Sequence, residues 1–131
     1  TDQQMGFTQQ GPQRADLGIR LGRRPAIEIL SRGQQKLVVS ALKLAQGRLL
    51  ERLTGRSCIY LIDDLPAELD GDHRRVFCEW LTHMRCQAFI TSVDPNALND
   101  VWDMDTPVSM FHVKHTEVGQ GQLLPMDRQT S

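Results

Sequence analysis

Nowhere do the 131 residues read GxxxxGKS or GxxxxGKT, so the chain carries no glycine-rich P-loop to wrap nucleotide phosphates. Cysteine is sparse. Cys58, Cys78 and Cys86 make an odd count with no CxxC spacing, which argues against a disulfide framework or zinc knuckle and for a reducing, cytoplasmic compartment. No apolar run approaches the ~18 residues of a transmembrane helix, and no membrane role is expected. The opening Thr1-Asp2-Gln3-Gln4 is polar and is not a signal peptide. An initiator Met is also missing, which predicts a piece of a longer protein. Net charge is only −1, so bulk electrostatics alone draw the chain to neither nucleic acid nor an anionic membrane.

What is present is an ordinary globular balance, 40% hydrophobic and 24% charged, enough apolar mass to offset ordering entropy. The charge is unevenly spread. Residues 1–56 hold ten Lys/Arg against four Asp/Glu, a net +6, and residues 57–131 hold five against twelve, a net −7. Two surfaces with different tasks are expected.

Loose alternation over 15–21 predicts a short strand, followed by a turn at Gly22-Arg23-Arg24-Pro25. Leu37, Ala41, Leu44, Ala45 and Leu49 fall at helical spacing and predict a long helix over 31–53, stopped by Gly55. Cys58-Ile59-Tyr60-Leu61-Ile62 is unbroken and apolar, the pattern of a central strand covered on both faces. A loop over 65–71 follows. A second helix, capped by Asp72, runs to Arg85 with the stripe Val76, Phe77, Trp80, Leu81, Met84, in which Trp80 reads as core. Strands over 88–90 and 108–113 flank a short helix begun by Asp94-Pro95, and the chain closes in a loose tail. The alternation predicts an α/β fold, a layered and mostly parallel sheet with covering helices. In such sheets chemistry gathers where strands end and helices begin.

Four places there are unusual. Leu30-Ser31-Arg32-Gly33-Gln34-Gln35-Lys36 opens a helix. Ser31 and Gln34 fit a capping box, yet Gly33 in the first turn costs about 1 kcal/mol against alanine and suits close approach of a phosphate to free N–H groups. Asp63-Asp64 ends the apolar strand, where two adjacent carboxylates either bind a cation or ordered water or stand exposed in a loop. Glu68-Leu69-Asp70 is an acidic loop, and Thr91 is a hydroxyl at a strand end. His73, His83, His112 and His115 have no metal-ligand spacing.

Taken in order, these segments resemble the carboxyl-terminal half of an ABC-type ATPase head, a P-loop NTPase fold. Leu30 to Gln34 resembles the signature, Cys58 to Asp64 the Walker B strand, Glu68-Leu69-Asp70 the D-loop, and Thr91 stands at the switch position. Gly11-Pro12-Gln13-Arg14-Ala15-Asp16-Leu17, Arg32 within the signature, and Ile62-Asp63-Asp64-Leu65-Pro66-Ala67-Glu68-Leu69-Asp70 narrow the likeness to the RecF family of SMC/Rad50-like ATPases, over residues 6–113. The head would then occupy residues 1–117 and the tail 118–131.

The resemblance implies a cytoplasmic ATPase using ATP and Mg²⁺, ATP-driven homodimerisation, and binding to DNA at single-stranded gaps or junctions. It also implies work with RecO- and RecR-type mediators in loading RecA recombinase for repair and the SOS response. It assigns Ser31, Gly33 and Gln34 to the γ-phosphate of ATP held by a partner protomer. Asp63 would hold Mg²⁺ through water, and Asp64 would position the attacking water. Asp70 would cross the dimer interface, and Thr91 would sense the γ-phosphate. Two positions depart from wider ABC practice: Asp64 stands where most have Glu, and Thr91 stands where many transporters have His. With no P-loop, the chain alone is expected not to hydrolyse ATP. Arg14, Arg20, Arg23, Arg24 and Arg32 could meet DNA phosphates or be solvated surface. The alternatives are the head of another SMC/Rad50-like ATPase, a Mg²⁺-dependent nuclease using Asp63, Asp64 and Asp70, and a non-enzymatic interaction module.

Overall fold

The computed structural model describes residues 16–115 and 121–126. Gly22, in the left-handed region at φ 60°, turns a minimal antiparallel hairpin of β1 (Arg20–Leu21) and β2 (Arg24–Pro25). The strand expected over 15–21 is thus only two residues long. Among the described residues nothing beyond the hairpin partner pairs with it. A single turn, α1 (Ala26–Ile29), leads to the long helix α2 (Arg32–Thr54).

The limits of α2 follow from local chemistry. Ser31 is its N-cap, with both halves of a capping box formed, and Gly55 ends it in the left-handed conformation at φ 70°. Next come β3 (Ile59–Ile62), the short helix α3 (Leu65–Glu68) and the helix α4 (Gly71–Met84). The segment expected as a loop contains α3, because Leu65 and Leu69 are both buried and one helical turn sets them on one side. The N-cap of α4 is Asp70 rather than Asp72: the Asp70 carboxylate accepts the His73 backbone N–H, so the helix starts two residues earlier.

β4 (Gln87–Ile90) pairs in parallel with β3, setting Leu61 opposite Phe89 and Ile62 opposite Ile90. A 3₁₀ helix, Pro95–Val101, is capped by Asp94. β5 (Met110–His115) and β6 (Gly121–Met126) form an antiparallel pair. The expected loose tail over 118–131 therefore contains a strand, held by β5. Among the described residues, β3 and β4 are the one parallel pair, and the other two pairs are antiparallel.

The core lies between the parallel pair and the two long helices. Leu44 of α2, Leu65 of α3, Leu69, and Phe77, Cys78 and Leu81 of α4 are buried, with Tyr60, Ile62, Ala88 and Ile90 packed against them. Cys78 is fully buried, and its thiol pKa is pushed up to about 12 by desolvation. Trp80 packs on this core as expected. The double-sided burial expected for the apolar strand is not found. Both helices lie on one side of the pair, leaving Leu61 80% and Phe89 56% exposed on the other.

Gly47 sets how closely β3 meets α2. The Tyr60 ring lies against its α-carbon, and the Tyr60 hydroxyl donates to the Leu44 carbonyl at 3.1 Å. Burial raises the Tyr60 pKa, which keeps this donor protonated.

Candidate functional site

Parallel pairing brings the carboxyl ends of β3 and β4 side by side. Asp63-Asp64 and Thr91 meet there although they stand 27 and 28 positions apart in the chain. The Thr91 backbone N–H donates to the Ile62 carbonyl at 2.9 Å, extending the ladder past the last strand residue. Its hydroxyl donates to Asp63 Oδ1 at 2.6 Å and accepts the Asp64 backbone N–H at 2.8 Å. One hydroxyl thereby fixes both acids. The short contact to Asp63 is that of a charge-assisted bond.

Asp64 is itself unusual. It sits in the left-handed region at φ 43°, ψ 54°, which costs a residue with a side chain about 1 kcal/mol or more. Its carbonyl accepts the N–H groups of Ala67 and Glu68, starting α3, while its carboxylate makes no capping bond. The backbone of Asp64 is used for structure and its carboxylate is left for other work. Asp63 and Thr91 are exposed and Asp64 is half-buried, so the cluster opens to solvent.

A second cluster forms where α2 and α4 begin. Ser31 is exposed. Its Oγ accepts the Gln34 N–H at 3.2 Å, and Gln34 Oε1 accepts the Ser31 N–H at 2.9 Å. The serine hydroxyl keeps its own proton to donate, and the N–H groups of Arg32 and Gly33 precede any intrahelical acceptor. The capping role and a phosphate-facing role are therefore compatible at Ser31, whereas the Gln34 carboxamide oxygen is already engaged.

Gly33 has a neighbour that spacing did not reveal. A β-carbon there would meet His73 Cε1 at 3.2 Å and Asp70 Oδ2 at 3.4 Å. The glycine lets the first turn of α4 press against the first turn of α2, so Gly33 and Asp70 share one site. His73 Nδ1 lies 2.8 Å from Asp70 Oδ1, near enough for charge contact although not aligned as a hydrogen bond. The Asp70 carboxyl is held below its ordinary range, first by the His73 backbone N–H and then by the imidazole. Lys36 and Glu68 pair nearby at 3.2 Å, an exposed contact of little energetic weight.

The sequence-predicted residues thus fall into two groups, Asp63-Asp64-Thr91 and Ser31-Gly33-Gln34-Asp70. Among the described residues no three His, Cys, Asp or Glu side chains could together hold a metal ion. Asp63, Asp64 and Asp70 accordingly do not form the metal cluster that the nuclease alternative needs.

Of the basic residues, Arg14 lies outside the described residues. Arg20 donates to the Arg23 carbonyl at 2.7 Å, Arg24 lies 3.8 Å from Glu28, and Arg32 is exposed. Sequence patterning missed Arg74, whose guanidinium donates to the carbonyls of Ala97, Leu69 and Pro66 at 2.7, 3.1 and 3.5 Å. An arginine at α4 position four carries no such signal in spacing. No helix among the described residues is long and apolar enough to cross a membrane.

A family model described as RecF/RecN/SMC N terminal domain matches residues 13–118. The DNA replication and repair protein RecF of Chromohalobacter salexigens is 72% identical over 115 residues, covering 88% of this chain and 32% of that protein. The protein of the same name from Pseudomonas aeruginosa is 62% identical over 119 residues, covering 91% and 32%. The chain thus spans about a third of the length of these curated relatives. A solved structure from work on the structural biochemistry of ATP-driven dimerization and DNA-stimulated activation of SMC ATPases superposes with a TM-score of 0.57 at 17% identity. It covers 92% of this chain and 71% of the other, and it establishes an SMC-ATPase-like fold.

Proposed function

The chain belongs to the RecF/RecN/SMC family, and on that premise we propose that it supplies the signature, Walker B, D-loop and switch elements of an ATP-hydrolysing head serving DNA replication and repair. The observation that carries this is the junction at the carboxyl edge of the parallel pair, where one threonine hydroxyl holds two consecutive acids. β3 and β4 would be two strands of a larger, layered and mostly parallel sheet, which accounts for the apolar face bearing Leu61 and Phe89. The head would extend past the expected boundary at 117 to take in β6, which pairs with β5.

Phosphoryl transfer asks the protein for positioning and charge neutralisation more than for covalent chemistry. Mg²⁺, when bound, would neutralise charge on the ATP phosphates, and Asp63 would hold it through water. Asp64, its carboxylate free of capping, would orient or deprotonate the attacking water. Thr91 has one hydroxyl proton, and Asp63 receives it. To sense a γ-phosphate by donation, Thr91 must turn that proton away from Asp63, so nucleotide and acid would compete for one donor. Ser31, with the free N–H groups of Arg32 and Gly33, would face the γ-phosphate held by a second copy, Gln34 would hold Ser31 through the capping box, and Asp70 would lie along the same seam.

The family likeness extends the proposal to an ATP-driven homodimer on gapped or junction DNA in the cytoplasm. That dimer would act with RecO- and RecR-type mediators to load RecA and support the SOS response.

The test uses the intact protein. Thr91→Val should bind ATP normally and turn it over roughly a hundredfold more slowly, the scale of a misplaced catalytic group, while Thr91→Ser restores most of the rate. Ser31→Arg should also bind ATP yet fail to dimerise with it. Wild-type turnover in Thr91→Val, or ATP-driven dimerisation of Ser31→Arg, would refute the assignment.

A further inference from the structure

Arg74 lies half-buried in the first turns of α4, and its guanidinium reaches two separate stretches of chain. Nη2 donates to the carbonyls of Leu69 and Pro66, at 3.1 and 3.5 Å, within the turn that leads from Asp64 to Asp70. Nη1 donates to the carbonyl of Ala97 at 2.7 Å, in the 3₁₀ helix six residues beyond Thr91. All three acceptors are main-chain carbonyls, so what the guanidinium fixes is the path of the backbone. The planar fork presents Nη1 and Nη2 in fixed directions, which a lysine ammonium on its flexible stem cannot reproduce.

The two stretches are the ones that carry the candidate chemistry. One begins at Asp64 and ends at Asp70, and the other follows Thr91. They are joined at the strand ends by the Thr91 hydroxyl and a second time, away from the strand ends, by Arg74. The ladder and the Thr91 bonds hold the two segments only where the strands end, and the guanidinium adds a tie at the other end of the turn. Pro66 can contribute only its carbonyl, having no N–H, and Asp64 already strains the backbone at the head of the same turn. Bonds from the Ala67 and Glu68 N–H groups to the Asp64 carbonyl and from the Leu69 N–H to the Leu65 carbonyl hold the turn internally, and Arg74 ties it to the 3₁₀ helix.

We propose that Arg74 is a positioning residue that sets the spacing between the Asp63-Asp64 acids and Thr91 and, through the same turn, fixes where Asp70 is presented. Its guanidinium bonds to backbone carbonyls, so it would act through the turn rather than on nucleotide. The proposal rests on the nucleotide-head reading for its effect on turnover, but not for its effect on the backbone.

The experiment compares Arg74→Lys and Arg74→Met with wild type in the intact protein by two measurements. The first is amide hydrogen exchange. Loss of charge-assisted bonds to two segments should speed exchange about tenfold over residues 64–70 and 95–101 in both variants, with the second half of α4 at wild-type protection. The second is steady-state ATP turnover. In Arg74→Lys, which keeps charge and approximate size, kcat should fall about tenfold with KM within about twofold of wild type.

Unchanged exchange in both segments of Arg74→Lys overturns the proposal, and so does faster exchange spread evenly through α4, which marks general destabilisation. Faster exchange confined to the two segments with wild-type kcat overturns the functional half. If the wild-type protein turns over no ATP, the nucleotide-head reading is what fails, and the exchange pattern alone then decides whether Arg74 ties the two segments.

Discussion

Gly47 sits inside α2, where an alanine would ordinarily stabilise a helix by about 1 kcal/mol. The structure reverses that expectation. A β-carbon there would lie 2.8 Å from Cζ of Tyr60 and 3.3 Å from Cε1, and would overlap the hydroxyl outright. The ring cannot swing away freely, because Tyr60 is held in β3 and its hydroxyl is bonded to the Leu44 carbonyl. Overpacking of this kind costs about 1–3 kcal/mol, and losing the hydroxyl bond adds about 1. After subtracting the helix-propensity gain, Gly47→Ala should destabilise by about 1–3 kcal/mol. That lowers the melting temperature by roughly 4–12 °C at about 4 °C per kcal/mol. Denaturant titration followed by circular dichroism gives the free energy directly. Tyr60→Phe in the Gly47→Ala background should recover only part of the loss, since the contact at Cζ remains. Two other glycines serve as controls of opposite sign. Gly71 has open space around it in a helical backbone, and Gly71→Ala should stabilise by about 0.5–1 kcal/mol. Gly55, at φ 70°, should lose about 1 kcal/mol as alanine through backbone strain alone. A Gly47→Ala protein as stable as wild type, or more so, would refute the packing of β3 on α2 described here.

Ser31→Ala removes the acceptor for the Gln34 N–H and should cost about 1 kcal/mol in the same titration, while Ser31→Asp should retain most of it; equal stability of Ser31→Ala and wild type would show that the cap contributes nothing. The depressed pKa of Asp70 means that its stabilising contribution is fully present above the ordinary carboxylate range and is lost as pH falls through the lowered folded value. Asp70→Asn, which can still cap α4, should therefore flatten the acid limb of the stability profile below about pH 4, and an unchanged acid limb would contradict this. Cys78, buried and with its pKa pushed up to about 12, should stay unmodified by alkylating reagents at neutral pH until the protein unfolds. Mass-spectrometric mapping that finds Cys78 alkylated in the native protein as fast as a free thiol would count against its place in the core.

What the sequence determined on its own is what is settled within a few residues along the chain. The start and stop of α2 were legible because Ser31 and Gln34 satisfy each other across three positions and Gly55 takes a conformation that side chains resist. The 3₁₀ helix was legible from Asp94-Pro95, and the order of helix start, apolar strand, paired acids and strand-end threonine was legible because each is a local pattern. Sequence and structure part where a local pattern has two solutions. Asp70 and Asp72 both suit an N-cap, and packing of Leu69 and His73 chose the former. An unbroken apolar strand predicts cover on both sides, but a sequence does not say which side its helices will take, and both took one. Tertiary structure alone decided that Thr91 would hold both acids, that His73 would lie against Gly33, that Tyr60 would occupy the space over Gly47, and that Arg74 would grip two loops at once. Apart from the bonds of Arg74 to Leu69 and Pro66, five and eight positions away, those contacts join residues 13 to 40 positions apart. No periodicity or capping rule reaches so far. Such contacts follow from burying Leu44, Phe77, Cys78 and Leu81 against one face of the parallel pair, which brings the segments that carry these side chains together.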